Sequence, residues 1–234
     1  MSACRFIAVG LVACALACTG SAQVSGADAK PGNRPPDAAR GAVIAAQGKA
    51  GVPACAQCHA FNGGSDGSGA FPRIAGQSAW YLTKQLHDFT TGVRDNAVMT
   101  PVAKALGADE IADLSAYYAG VESPFLPLPV QNPALVKRGE QLAKTGDASR
   151  NLQSCDNCHG PGGVGEPPAI PCLSGQYAHY TSFELRMWQR GFRKSSPEGM
   201  AVIAKLLNDQ DIAAVAAYFQ QVRSAAPAVA KPAE

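Results

Sequence analysis

Apolar positions recur along the chain at helical spacing, and they do so twice in similar order. Ile111, Leu114, Ser115 and Tyr118 share one face of a helix predicted over about 109–119; Ile212, Val215, Ala216 and Phe219 share one face of a helix predicted over 209–222. The same spacing predicts helices over 37–47 and 78–90 in the first half, and over 133–144 and 178–189 in the second. Asn208 followed by Asp211 resembles a capping box, with Asp in place of the longer Glu. No run alternates apolar and polar residues as a half-buried strand would, so the predicted fold class is all-α. Glycine-rich loops are expected over 62–70 and 160–168.

Laid against itself, the chain shows a long internal repeat. Cys55-Ala56-Gln57-Cys58-His59 recurs as Cys155-Asp156-Asn157-Cys158-His159, and Pro72-Arg73-Ile74-Ala75-Gly76-Gln77 as Pro171-Cys172-Leu173-Ser174-Gly175-Gln176. Gly92-Val93-Arg94 matches Gly191-Phe192-Arg193, and Met99 falls against Met200. A unit this long exceeds any solenoid repeat and reads as two tandem domains, 37–122 and 134–223. They are joined by a Pro-rich linker over 123–133, where prolines at 124, 127, 129 and 133 block helix and ladder. Residues 224–234 read as a flexible tail.

The N-terminus carries an address. Arg5 precedes the apolar run from Phe6 to Cys18, and Thr19-Gly20-Ser21-Ala22 supplies small residues for cleavage, so 1–22 reads as a signal peptide and the protein as periplasmic. Leu11-Val12-Ala13-Cys14 offers a second reading as a lipobox, with a lipid-anchored Cys14 and peripheral membrane association; simple cleavage fits the layout better. With a formal net charge of +2 and 16% charged residues, there is no field of the kind that nucleic acid binding needs. Apolar residues make up 47%, enough for real cores. Five of the eight cysteines, Cys55, Cys58, Cys155, Cys158 and Cys172, remain after cleavage, and an odd number in an oxidising compartment argues against a pure disulfide framework.

Two cysteines three apart with His next in line suit covalent haem attachment. The thiols add to the porphyrin vinyl groups, and the imidazoles of His59 and His159 then sit where they can bind iron. The sixth ligand must come from elsewhere. A Met thioether is soft and neutral and raises the potential. Met99 stands 40 residues after His59, and Met200 stands 41 after His159. A lone Met is normally core filler, but the matched register reverses that reading and selects Met200 over Met187. A zinc site could draw on Cys55, Cys58, Cys155 and Cys158, but the gap is long and the histidines would go unexplained. A thioredoxin-like pair lacks its strand-helix context. Two haem c groups are the favoured reading.

These elements, with Tyr81-Leu82 and Gln85-Leu86, together resemble the cytochrome c4 family of two class I cytochrome c domains, over about residues 37–222. The resemblance implies two His/Met haems near a domain interface. It also implies that the Pro72 and Pro171 carbonyls accept hydrogen bonds from His59 and His159, and that redox proteins are the partners, with electrons delivered toward a terminal oxidase. In the second half the pattern departs at Thr181 to Arg186, where Glu184 replaces Gln, and at the insertion Ser195 to Gly199.

Other residues carry open readings. Arg94 and Arg193 suit haem propionates or are ordinary surface charges. Trp80, Tyr81 and Tyr180 suit packing on a porphyrin or a general core. Cys172 reads as a small, partly buried side chain, and His87 and His179 as surface histidines. Arg186, Arg190, Arg193 and Lys194 form either a solvated helix face or a basic face for an acidic partner. With both axial positions filled by protein, the expected function is electron carriage without catalysis. The alternatives are a cytochrome subunit of a sulfide or alcohol dehydrogenase complex and, ranked lower, a dihaem peroxidase or thiosulfate dehydrogenase.

Overall fold

The structure is a computed structural model that describes residues 32–126, 128–129 and 132–223. The expected export segment 1–22, Cys14 with it, and the tail 224–234 lie outside the described residues. Among the described residues no helix is long and apolar enough to cross a membrane.

Among the described residues ten α-helices occur in two similar sets, beside two short 3-10 turns in the second. The first holds α1 (Ala38–Gln47), α2 (Ala56–His59), α3 (Ala79–Thr91), α4 (Met99–Lys104) and α5 (Ala108–Gly120). The second holds α6 (Pro133–Thr145), α7 (Asp156–His159), α8 (Ala178–Gln189), α9 (Met200–Leu206) and α10 (Asp209–Gln221). Strand structure among the described residues is limited to isolated bridges. The six long helices start and stop within about two residues of the positions read from periodicity, because their ends carry local signals. Asp37 caps α1 by accepting from the Ala39 amide at 2.8 Å, and Ser78 caps α3 through the Tyr81 amide at 3.1 Å. Asn208 and Asp211 cap α10 reciprocally, at 2.8 and 3.4 Å. Four short helices escape periodicity, since α2, α4, α7 and α9 are too short to show an apolar face repeating.

Each set closes its own core where its first and last long helices cross. Ala45, Val52, Leu106, Ile111, Leu114 and Tyr118 fill the first. Leu142, Leu152, Leu185, Trp188, Ile212, Val215 and Phe219 fill the second. Gly41 of α1 lies against the Asp113 carbonyl of α5, and Gly139 of α6 against the Ala214 carbonyl of α10. A Cβ at either position would collide with that backbone, so glycine sets the closeness of both crossings.

The two domains dock through a near-symmetric set of polar contacts. The Gln77 amide accepts from the Cys172 N–H at 3.0 Å and donates to the Cys172 carbonyl at 2.8 Å. Gln176 does the same to the backbone of Arg73, at 3.0 and 2.8 Å. The two Gly-x-Arg elements pair antiparallel: the Asp95 amide donates to the Phe192 carbonyl at 2.9 Å, and the Lys194 amide to the Val93 carbonyl at 2.7 Å.

Arg94 and Arg193 therefore are not surface charges; they are 6% and 5% exposed, at the centre of this interface. Arg94 donates to Glu184 at 2.5 Å, to Tyr180 at 2.7 Å and to Gln85 at 2.9 Å. Arg193 donates to Glu184 at 2.7 Å, to Gln85 at 2.8 Å and to Tyr81 at 3.1 Å. Each guanidinium thus engages both domains, a task its planar fork suits. The expected basic stretch is broken up for the same reason: Arg193 is buried, and Arg186 is bonded to Asp209 at 3.0 Å.

Among the described residues Glu184 is the one carboxylate bonded to the pair, and Gln85 stands at its place in the other repeat. Burial would raise its pKa, but the opposing attraction of Arg94 and Arg193 wins and holds it below the usual glutamate range. A carboxylate whose folded pKa is depressed stabilises above its unfolded value and loses that contribution as pH falls through the folded one. Domain docking should therefore persist through the ordinary glutamate range and weaken only below it, which small-angle scattering across an acid titration would show. Glu184→Ala strands two buried guanidinium groups, for which about 3–5 kcal/mol is the typical cost of breaking a buried pair; denaturant unfolding would read it. Gly139→Ala should cost about 1–3 kcal/mol by overpacking the α6–α10 crossing, and an unchanged denaturation midpoint would contradict the crossing described.

Candidate haem-binding sites

In each domain the two cysteines and the histidine ride on a single helical turn. The His59 amide donates to the Cys55 carbonyl at 2.9 Å, and the His159 amide to the Cys155 carbonyl at 2.9 Å. Cys55 and Cys58, like Cys155 and Cys158, sit three apart on that turn and so lie on one side of it. None of the five cysteines of the described residues is in a disulfide. Burial pushes the Cys55 thiol up and the Cys155 thiol to about 12. Neutral sulfurs tolerate such burial, as thioethers do. No group of three or more His, Cys, Asp or Glu able to hold a metal ion occurs among the described residues, which removes the zinc reading.

The histidines are pre-set for ligation. His59 Nδ1 lies 3.1 Å from the Pro72 carbonyl, and His159 Nδ1 lies 2.9 Å from the Pro171 carbonyl. A carbonyl only accepts, so Nδ1 carries the proton and the lone pair is left on Nε2. Burial holds both imidazoles below their usual pKa, with the carbonyl bond opposing. The glycine-rich loops place those carbonyls. The Gly63 carbonyl accepts from the Ile74 and Ala75 amides at 2.8 and 3.1 Å, and the Gly163 carbonyl from the Leu173 and Ser174 amides at 2.7 and 3.1 Å. Each proline segment is thereby tied back to its Cys-x-x-Cys-His turn.

The methionines also take matching places. Met99 opens α4 with its amide on the Asn96 side chain at 2.9 Å. Met200 opens α9 with its amide on the Ser196 hydroxyl at 3.2 Å. Met187 lies inside α8, where its carbonyl accepts from the Phe192 and Arg193 amides at 3.0 and 3.3 Å. Cys55 packs against the first core, and Cys155 and Met200 against the second.

The buried polar inventory fits a carboxylate-bearing cofactor. Arg94 and Arg193 bring two positive charges, and Glu184 returns one negative. Burial pushes the Tyr180 hydroxyl to about 12, so it stays neutral. One guanidinium charge is left over, and among the described residues the buried donors Arg193 Nε and Trp188 Nε1 have no hydrogen-bond partner. Buried donors normally find acceptors, and a haem propionate is such an acceptor. Cys55, Cys58 and His59 would hold one haem, and Cys155, Cys158 and His159 the other, with Met99 and Met200 available as second axial ligands.

Other expected residues fall elsewhere. Trp80 is 41% exposed, whereas the Tyr81 and Tyr180 hydroxyls face the interdomain arginines. Cys172 is half-buried, with its backbone held by Gln77. His87 is half-buried; His179 is exposed and its Nδ1 donates to the Gly69 carbonyl across the domain boundary at 3.2 Å. Periodicity gave no sign of Gln77, Gln176, Glu184 and Trp188 as interface and site residues. The repeat alignment held the available signal, since both glutamines recur and Glu184 breaks the pattern.

Comparison with known proteins agrees with this geometry. The family model described as Cytochrome c matches residues 38–121 and 136–223. A thiosulfate dehydrogenase electron acceptor of Stutzerimonas stutzeri (strain A1501) is 38% identical over 188 residues, 79% of this chain and 87% of the relative. Cytochrome c4 of Thiocapsa roseopersicina is 40% identical over 169 residues, 71% of this chain and 85% of the relative. Among solved structures, reduced recombinant cytochrome c4 from Pseudomonas stutzeri superposes with a TM-score of 0.70 at 30% identity, covering 80% of this chain and 100% of that one. Thiosulfate dehydrogenase (TsdBA) from Marichromatium purpuratum gives a TM-score of 0.73 at 37% identity over 79% of this chain, which spans only 40% of that longer one. With a Cys-x-x-Cys-His turn in each matched region and two-domain relatives along nearly their whole length, the chain belongs to the cytochrome c family, as a cytochrome c4-like electron-transfer protein with two covalently bound haem c groups.

Proposed function

We propose that this protein is a periplasmic two-haem relay that takes electrons from a thiosulfate-oxidising dehydrogenase and hands them on toward a terminal oxidase. The observation that carries the relay is the interface: the two Gly-x-Arg elements are paired backbone to backbone, and each guanidinium bonds both domains. Two sites held in one rigid frame can exchange electrons without diffusing apart. The donor is argued from relatives named as thiosulfate dehydrogenase electron acceptors, 38% and 36% identical to this chain. An oxidase as acceptor is the expectation from the resemblance to cytochrome c4. Domain bounds of 37–122 and 134–223 suit this reading, as does a leader over 1–22 that delivers the chain to the compartment where haem c proteins work.

In this reading His59 with Met99 would hold one haem iron, and His159 with Met200 the other. When bound, haem supplies the one-electron couple. The chain's part is to keep each imidazole neutral and oriented through the proline carbonyl and to supply a neutral thioether. With a histidine and a methionine on each iron, no position would be left for peroxide or thiosulfate, in keeping with an electron carrier rather than an enzyme.

Replacing Met99 or Met200 by Ala should lower the potential of the corresponding haem and abolish its Met-to-iron charge-transfer band; a spectropotentiometric titration that finds either variant unchanged would remove that Met from the ligand set. For the donor, the oxidised protein mixed with thiosulfate alone should stay oxidised and should be reduced rapidly once a thiosulfate dehydrogenase is added. Reduction by thiosulfate without the dehydrogenase would mean an enzyme, and no reduction with it would point to a different electron source.

A further inference from the structure

The histidine of each Cys-x-x-Cys-His turn is bonded to a peptide group, and that same peptide group is gripped from the other domain. The carbonyl of the Pro72–Arg73 peptide lies 3.1 Å from His59 Nδ1, and its N–H donates to the side-chain oxygen of Gln176 at 3.0 Å. The carbonyl of the Pro171–Cys172 peptide lies 2.9 Å from His159 Nδ1, and its N–H donates to the side-chain oxygen of Gln77 at 3.0 Å. A trans peptide is planar, with N–H and C=O pointing opposite ways, so imidazole, peptide and glutamine form one hydrogen-bonded chain. Each glutamine also donates from Nε2 to the carbonyl of the same Arg73 or Cys172, at 2.8 Å in both cases, which fixes that residue from both sides. Gln77 and Gln176 are 7% and 8% exposed. Both lie five residues after the proline of their own repeat, yet each grips the proline segment of the other domain.

We propose that Gln176 is a positioning residue for the axial histidine of the first haem and Gln77 for that of the second, each acting across the domain boundary through a single peptide group. The proposal rests on the two-haem reading above, with His59 and His159 as iron ligands. When a peptide N–H gives its proton to an acceptor, resonance moves negative charge onto the carbonyl oxygen at the other end, and hydrogen bonds in such a chain strengthen one another. The glutamine oxygen thus makes the proline carbonyl a better acceptor for the imidazole Nδ1–H. A stronger bond there makes Nε2 a better donor to iron, which favours the ferric state. Gln176 Oε1 accepts from the Tyr177 amide as well, at 3.1 Å, so its orientation is set from its own domain while its effect falls on the other. Docking of the domains therefore completes the surroundings of both histidines, in addition to bringing the two sites together.

The test uses the full, haem-loaded protein and two variants, Gln176→Met and Gln77→Met, which keep the side-chain length and remove its acceptor and donor. The first readout is the Nδ1 proton resonance of each histidine in the fully reduced protein. Gln176→Met should move the His59 signal upfield and leave that of His159 in place; Gln77→Met should do the reverse. The second readout is a redox titration, in which each variant should raise one of the two waves, and not the same one. A shift confined to the variant's own domain, equal movement of both signals, or no movement would overturn the proposal. The unaltered protein gives a check that needs no variant to fold: the Arg73 and Cys172 amide protons should exchange slowly with solvent, and fast exchange at either would also overturn it. A haem count below two in the unaltered protein would instead defeat the two-haem reading, so the two failures are told apart.

Discussion

An imidazole whose Nδ1 proton is committed to a backbone carbonyl is the constraint from which each domain is built. His59 on Pro72 and His159 on Pro171 fix the tautomer, the ring plane and the direction of the remaining lone pair. Much of the local architecture serves that bond. The Cys-x-x-Cys-His turn presents the ring, the glycine-rich loop brings the proline segment back to it, and the packing that buries both histidines lowers their pKa. The long helices frame this arrangement, crossing at Gly41 and Gly139 where only a missing side chain allows the approach.

Between the domains a second constraint acts. Two arginines are taken out of water together, which is tolerable only with many acceptors at hand. Glu184, Gln85, Tyr81 and Tyr180 provide them, and each acceptor set mixes residues of both domains. Gln77 and Gln176 add backbone clasps on either side. The result is an interface specified by geometry as well as area, with Phe125 of the connector placed under the Arg73 guanidinium at 4.7 Å. Its departures from symmetry are Glu184 against Gln85 and Trp188 against Phe89.

Much of this was legible in the amino-acid sequence. The six long helices follow from apolar spacing and from caps such as Asp37, Ser78 and Asn208. The attachment turns follow from Cys-x-x-Cys-His, and the duplication from the repeat register. What was hidden depends on contacts between residues far apart in the chain. Arg94 and Arg193 look like any charged turn residues until their cross-domain partners, 86 to 112 residues away, fold against them. The short helices that begin at Met99 and Met200 lack the length for periodicity to speak. Trp188 reads as plain core until its unpartnered N–H is seen.

The central claim, that both halves carry covalently bound haem, is tested most directly by the intact mass of the purified, matured protein measured under denaturing conditions. The account predicts a polypeptide bearing two porphyrin masses, reduced to one when Cys55 and Cys58, or Cys155 and Cys158, are replaced by Ala. A bare polypeptide, or a single porphyrin on the unaltered chain, would contradict it.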